Sequence, residues 1–208
     1  MKYQELKQVF EDNLVFNFNQ LRVLDNDFHR QQASKWIKDS KIISLFKGFY
    51  TFPDLDLNEN TLAFVANQIY KPSYISLEFA FSLYNFIPEG VYLITSISSK
   101  KTIQFKTPIG NFSYRSLKPE LIFGYGLQEF RYQQKNYNYK LASPEKAVLD
   151  YLYLNPKIKT LEDFEGLRWN IGEMKEKLDL KKLNSFLEFF NNQKLEKRVK
   201  VFLEYLES

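Results

Sequence analysis

Residues 28–53 read FHRQQASKWIKDSKIISLFKGFYTFP. The first half has helical spacing, with Ala33, Trp36 and Ile37 on one face. The second half is β-branched and aromatic, with Lys47-Gly48 as a turn in its middle and Pro53 as its stop. That is the pattern of a β-hairpin. Upstream, residues 3–11 carry Leu6, Val9 and Phe10 at helical intervals, and Leu14-Val15-Phe16 is a short apolar segment suited to a strand. Asn17 offers an N-cap to a second short helix with Phe18, Leu21 and Leu24 on one side. Before the third helix, LDNDF (24–28) supplies turn residues and a further cap at Asn26 or Asp27. Three helices and then a hairpin is the order of a winged helix-turn-helix, in which the third helix enters the DNA major groove and the wing touches the backbone.

If Ala33, Trp36 and Ile37 turn inward, the helical period leaves Arg30, Gln31, Ser34, Lys35 and Lys38 outside. Arg and Gln can read base edges, while Lys and Ser can hold phosphates. Arg22, His29 near the start of the third helix, and Lys47 at the hairpin turn complete the expected contacts to double-stranded DNA. Between residues 22 and 50, six basic residues (Arg22, Arg30, Lys35, Lys38, Lys41, Lys47) face three acidic ones (Asp25, Asp27, Asp39), a net of +3. A solvated helix face carries the same residue types, so a module that docks a protein partner through its winged helix is the alternative reading. His29 suits a packed or capping role as well as a phosphate or base contact.

The whole chain has 208 residues and a formal net charge of +4, which permits nucleic-acid contact without demanding it. Its 20 Phe and 14 Tyr predict a core built largely from aromatics. There is no cysteine, hence no disulfide, thiolate metal site or cysteine nucleophile. The single histidine, His29, rules out a Ser-His-Asp relay in a second location and any His-pair zinc site. MKYQELKQVFEDNL lacks the apolar core of a signal peptide, and no apolar run approaches the ~20 residues of a membrane span. The expectation is a cytoplasmic protein with no membrane contact, no cofactor, no metal and no catalytic residue. Asp54-Leu55-Asp56 has the look of a phosphotransfer enzyme's paired metal carboxylates, but no Gly-Ser loop precedes it. DLDLNEN (54–60) reads instead as an acidic linker between domains at 1–53 and 61–208.

In the second domain, residues 61–70 are helical, with Leu62, Val65, Ala66 and Ile69 in one stripe. After Pro72, Ser73 or Ser76 can cap a helix whose apolar side is Leu77, Ala80, Phe81 and Tyr84. From 91 to 142 the pattern is β, with Asn136-Tyr137-Asn138 expected at a turn. SPEKAVLDYLYL (143–154) then starts a helix with Ser143 as cap and Pro144 at the first position. Glu145-Lys146 has the form of a nuclease carboxylate-lysine pair, yet the helix start explains it. Glu145 and Asp150 are five apart and do not share a helix face. The expected fold class is thus α+β: an N-terminal winged helix-turn-helix, then an antiparallel sheet flanked by helices, then a helical C-terminal tail. Tyr114, Arg115 and Arg131, with Tyr132, form a candidate basic-aromatic surface for RNA or a partner.

Three segments together resemble the AbiEi antitoxins of type IV toxin–antitoxin and phage-defence systems. They are the wing KIISLFKGFYTF (41–52); PSYISLEFAFSLYNFIPE (72–89) leading into ITS (94–96); and GNFSYRSLKPE (110–120) with FGYG (123–126) and LASPEKAVLDYLY (141–153). Their order and spacing match over roughly residues 3–155, and the last fifty residues match only as a helical tail. The resemblance implies a winged helix that binds inverted repeats at its own promoter. It also implies a C-terminal domain, here the candidate surface at Tyr114, Arg115 and Arg131, that counteracts a nucleotidyltransferase toxin encoded next door without a stable complex. The chain departs from the family in having Asp39-Ser40 where a Lys/Gly pair is usual, and Lys47 where Arg often precedes the wing glycine.

Overall fold

The computed structural model describes residues 1–208. Its first fifty residues are organised by short capped elements: α1 (Tyr3–Phe10), β1 (Phe16–Asn17), α2 (Phe18–Leu24), α3 (Arg30–Lys38), β2 (Ile43–Ser44) and β3 (Phe49–Thr51). Asn17 caps α2 reciprocally. Its side chain accepts from the Gln20 N–H at 3.1 Å, and the Gln20 carboxamide accepts from the Asn17 N–H at 2.8 Å. Helix α3 starts later than the sequence suggests: His29, not Asn26 or Asp27, occupies its cap position, without a side-chain bond. The Asp25 side chain draws the intervening residues into a turn by accepting from the Asp27 N–H at 3.1 Å. The three strands form an antiparallel sheet in the order β1-β3-β2. Lys47 (φ 44°) and Gly48 (φ 82°) both adopt the left-handed backbone that a tight two-residue hairpin turn requires.

This head has its own apolar core, in which Trp36, 5% exposed, packs its ring against Phe28 and Tyr3 with Phe16 and Tyr50 beyond. Three side chains expected to face inward do not. Val9, Leu24 and Ile37 are 52%, 47% and 37% exposed. Each sits at the border of its helix's stripe, and a core of ten buried residues is too small to cover border positions.

The body opens with α4 (Glu59–Ile69), capped by Asn58, whose side chain accepts from the Asn60 and Thr61 N–H groups. There follow β4 (Ser73–Ile75), α5 (Leu77–Leu83), β5 (Leu93–Ser98), β6 (Ile103–Thr107), β7 (Gly110–Ser116), a 3-10 turn at Pro119–Leu121, β8 (Tyr125–Tyr132) and β9 (Lys135–Ala142). The six strands lie in the order β6-β7-β5-β4-β9-β8. The sheet is mixed, not antiparallel as expected: β5 pairs parallel with β7, and β4 parallel with β9. The cause is topological. The β6–β7 hairpin docks through its second strand, and the three-residue β4 slots into the centre. Residues 136–138, expected at a turn, lie within β9; the turn is Gln133-Gln134, with Gln133 at φ 52°.

Five helices complete the body: α6 (Pro144–Leu154), α7 (Leu161–Glu165), α8 (Ile171–Lys177), α9 (Leu180–Phe190) and α10 (Gln193–Glu207). Helix α6 begins as read, with Ser143 capping and Pro144 first. It is buried nearly all round, Glu145 through Asp150 included. Lys146 and Asp150, one turn apart, form an ion pair with both side chains fully buried. The Asp150 carboxylate also accepts from the Tyr74 and Ser76 hydroxyls, each at 2.9 Å. The Lys146 ammonium donates to Tyr74 Oη at 3.0 Å and lies within about 5 Å of the Phe123 and Phe190 ring centres. Burial holds the Lys146 ammonium below the ordinary lysine range, against the pull of Asp150. Gly124 closes the cluster: at φ +71° an added Cβ would stand 2.9 Å from the Phe186 ring and 3.1 Å from the Lys146 stem.

Removing one partner of a buried pair strands the other. Lys146→Met alone is expected to destabilise the protein by about 3–5 kcal/mol in urea denaturation, and Lys146→Met/Asp150→Leu to recover most of that loss. Glu145, buried beside this pair, would be pushed up by burial alone; the Lys182 ammonium at 2.8 Å and the Asp179 N–H at 3.1 Å outweigh that and hold it below 4.5. A carboxylate depressed in this way stabilises the fold above its unfolded pKa and ceases to do so as pH falls through the folded one. Glu145→Gln should therefore flatten the acid limb of the stability profile below pH 4.5.

Candidate nucleic-acid interface

The start of α2, the outer side of α3 and the β2–β3 hairpin enclose a cleft of about 560 Å³. The Phe18 N–H donates to the Gly48 carbonyl at 2.8 Å, which fixes the helix start against the hairpin turn. Across this floor the Arg30 guanidinium lies over the Phe18 ring, 5.6 Å from its centre. Ser34, one turn further along α3, and Lys47, from the hairpin, line the same cleft with Asn17, Asn19 and Tyr50. Burial pushes the Tyr50 hydroxyl pKa up, opposed by the Arg30 charge.

The structure brings Arg30, Ser34 and Lys47 together in this way. Gln31, Lys35 and Lys38 are exposed on the same side of α3. At about 100° per residue, the five outward α3 residues span roughly 140° of arc opposite Ala33 and Trp36. His29 is exposed at the cap position, and Arg22 is exposed in the last turn of α2, away from the cleft. None of these eight side chains makes a hydrogen bond or ion pair within the protein. Asn19, Phe18 and Tyr50 join the cleft without a signal in the sequence that marks them for it. The capping role of Asn17 was legible, but that α2 abuts the hairpin turn was not.

The hairpin is held from behind. Phe46 stacks on Phe105 of β6 with ring centres 4.0 Å apart and planes at 7°, and meets Tyr70 edge-on. Leu45 is buried in the body's core. On the other side of the head, Asp12 pairs with Lys135 and accepts from the Tyr137 hydroxyl through its carbonyl, while Lys7 pairs with Asp54 at 3.0 Å.

The second expected surface does not form. Tyr114 is fully buried, donating to the Ala66 carbonyl at 2.8 Å beneath α4. Strand alternation sends it inward and its neighbour Arg115 to the opposite face. Arg131 is exposed on β8, its Nε donating to the Gln133 carbonyl. Three strands lie between β7 and β8, so Arg115 and Arg131 stand on the order of 20 Å apart. Asp54 pairs with Lys7 and Asp56 accepts from the Asn58 amide, and no group of three or more His, Asp or Glu side chains is placed to hold a metal ion. No protein-family model and no curated protein sequence matches this chain.

Proposed function

We propose that the head is a winged helix-turn-helix that binds double-stranded DNA, with α3 in the major groove and the β2–β3 hairpin as the wing. The observation that carries the reading is the meeting of Arg30 and Ser34 from α3 with Lys47 from the hairpin across one cleft, none of them in a side-chain hydrogen bond or ion pair within the protein. A helix that offers cations, amides and a hydroxyl on one exposed face, beside a cationic turn held rigidly, suits a phosphate-lined groove. Following the AbiEi resemblance, the chain acts as an autorepressor at inverted repeats of its own promoter. It acts also as an antitoxin against a nucleotidyltransferase toxin, without a stable complex. Support for the second role is narrower: the segments that carry the resemblance supply Tyr74, Ser76, Gly124, Lys146 and Asp150, which all meet in one buried cluster. A head that docks a protein partner is the competing reading, and it requires no duplex.

The full chain is tested on a duplex of its own upstream region. Lys47→Ala should weaken binding to all sequences alike and reduce the salt slope by about one counterion. Arg30→Ala or Gln31→Ala should relax sequence preference by about 1–3 kcal/mol per lost base contact. Unchanged retention in all three variants removes the DNA reading and favours protein docking. Phe46→Ala should lower stability by about 1–3 kcal/mol and weaken duplex binding severalfold although Lys47 is intact, because the ring stack that seats the wing is lost. Growth rescue on co-expression with the adjacent nucleotidyltransferase tests the antitoxin role separately; failure of rescue removes that role and leaves DNA binding standing.

A further inference from the structure

A second cleft, of about 790 Å³, opens on the face of the sheet that α4 does not cover. That volume is in the range of small-molecule sites. Ser113 and Arg115 emerge here from β7, and Gln104 joins them from β6, cross-strand to Ser113. Ile87 and Val91, from the segment after α5, supply an aliphatic wall, and Glu78 from the first turn of α5 lies on the rim. These polar groups have no partners in the protein. Arg115 and Glu78 make neither an ion pair nor a side-chain hydrogen bond, although both line the one cleft and both are half-buried. The Ser113 hydroxyl, on a residue only 8% exposed, is also unengaged. These groups are left to water in the cleft, and a ligand with matching charges and acceptors can replace that water with charge-assisted hydrogen bonds.

The backbone beside Glu78 is strained. Leu77, which also lines the cleft, has φ +61°, a conformation costing a branched residue on the order of 1–3 kcal/mol. Thr95 clamps it from both sides: its hydroxyl donates to the Ser76 carbonyl at 2.7 Å and accepts from the Phe79 N–H at 3.0 Å. This anchors the backbone on either side of Leu77 and Glu78, and Glu78 lines the cleft without pairing with Arg115. Opposite charges that line one cleft without pairing, beside aliphatic side chains, match a ligand that carries both charges and an apolar body.

We propose that this cleft binds a small aliphatic zwitterion of the α-amino-acid class, its carboxylate on Arg115 and Ser113 and its ammonium on Glu78. A free amino acid and a short peptide share this chemistry. The site is independent of the DNA-binding reading. The test is an NMR titration of the isotope-labelled full chain with L-leucine and with leucyl-leucine. Saturable shifts at the Glu78, Ser113 and Arg115 amides are expected, and the tighter of the two ligands identifies the source. N-acetyl-leucine and leucinamide, each lacking one charge, should bind at least tenfold more weakly. Arg115→Gln and Glu78→Gln should each lose the same factor for the zwitterion while the rest of the spectrum is unchanged. No saturable shift with either zwitterion up to about 10 mM, or equal binding of the single-charge analogues, overturns the proposal.

Discussion

The body is arranged around a lysine and an aspartate that never meet water. Taking either charge out of solvent costs several kcal/mol, so Lys146 and Asp150 are tolerable only where every remaining donor and acceptor finds a partner. That requirement reaches across the chain. Tyr74 on β4 and Ser76, the extended residue just past it, stand two apart, so both reach Asp150 from one side of the chain. A slip of one residue would turn both away. Phe123 and Phe190 roof the ammonium, and residue 124 must lack a Cβ because one would crowd the Phe186 ring and the Lys146 stem. An apolar core of equal volume would be about as stable. What the polar cluster adds to the ladder pairings of β4 with β5 and β9 is a further constraint on the register of a three-residue strand.

In the head the governing constraint is smaller. Burying Trp36 against Phe28 and Tyr3 fixes the rotation of α3, and rotation alone decides which side chains face outward. Apart from Arg30 over the Phe18 ring, the cations on that face have no partner in the protein. Leaving them free is what makes the surface available.

Local chemistry is legible in the sequence. Asn17 and Ser143 announce their helices because a short polar side chain before an apolar stripe satisfies otherwise orphaned N–H groups. Lys47-Gly48 announces its turn for the same kind of local reason. Strand β4 was not legible, since three residues carry no periodicity and SYI gains its strand character only from β5 and β9. The parallel pairings depend on which strand of a hairpin docks, which composition does not record. Tyr114 and Arg115 are consecutive, so alternation already puts them on opposite faces; which of those faces α4 covers is not legible in the sequence. The four-residue spacing of Lys146 and Asp150 was visible, but such a pair ordinarily lies on a helix surface. Its burial comes from β4 and α9, far away in sequence. The cleft beside α3 was half legible: its α3 and hairpin residues followed from period and turn, while Asn19 and Tyr50 enter it through packing.

The hairpin belongs to two cores at once, with Tyr50 and Phe52 facing the head and Leu45 and Phe46 facing the body. A head joined in this way cannot swivel as if on a tether. Any long partner seated along α3 would leave the molecule on a fixed bearing relative to the sheet. How far the body overhangs that partner, and whether a second copy fits beside the first, would then follow from rigid geometry and be indifferent to the length of the connecting chain.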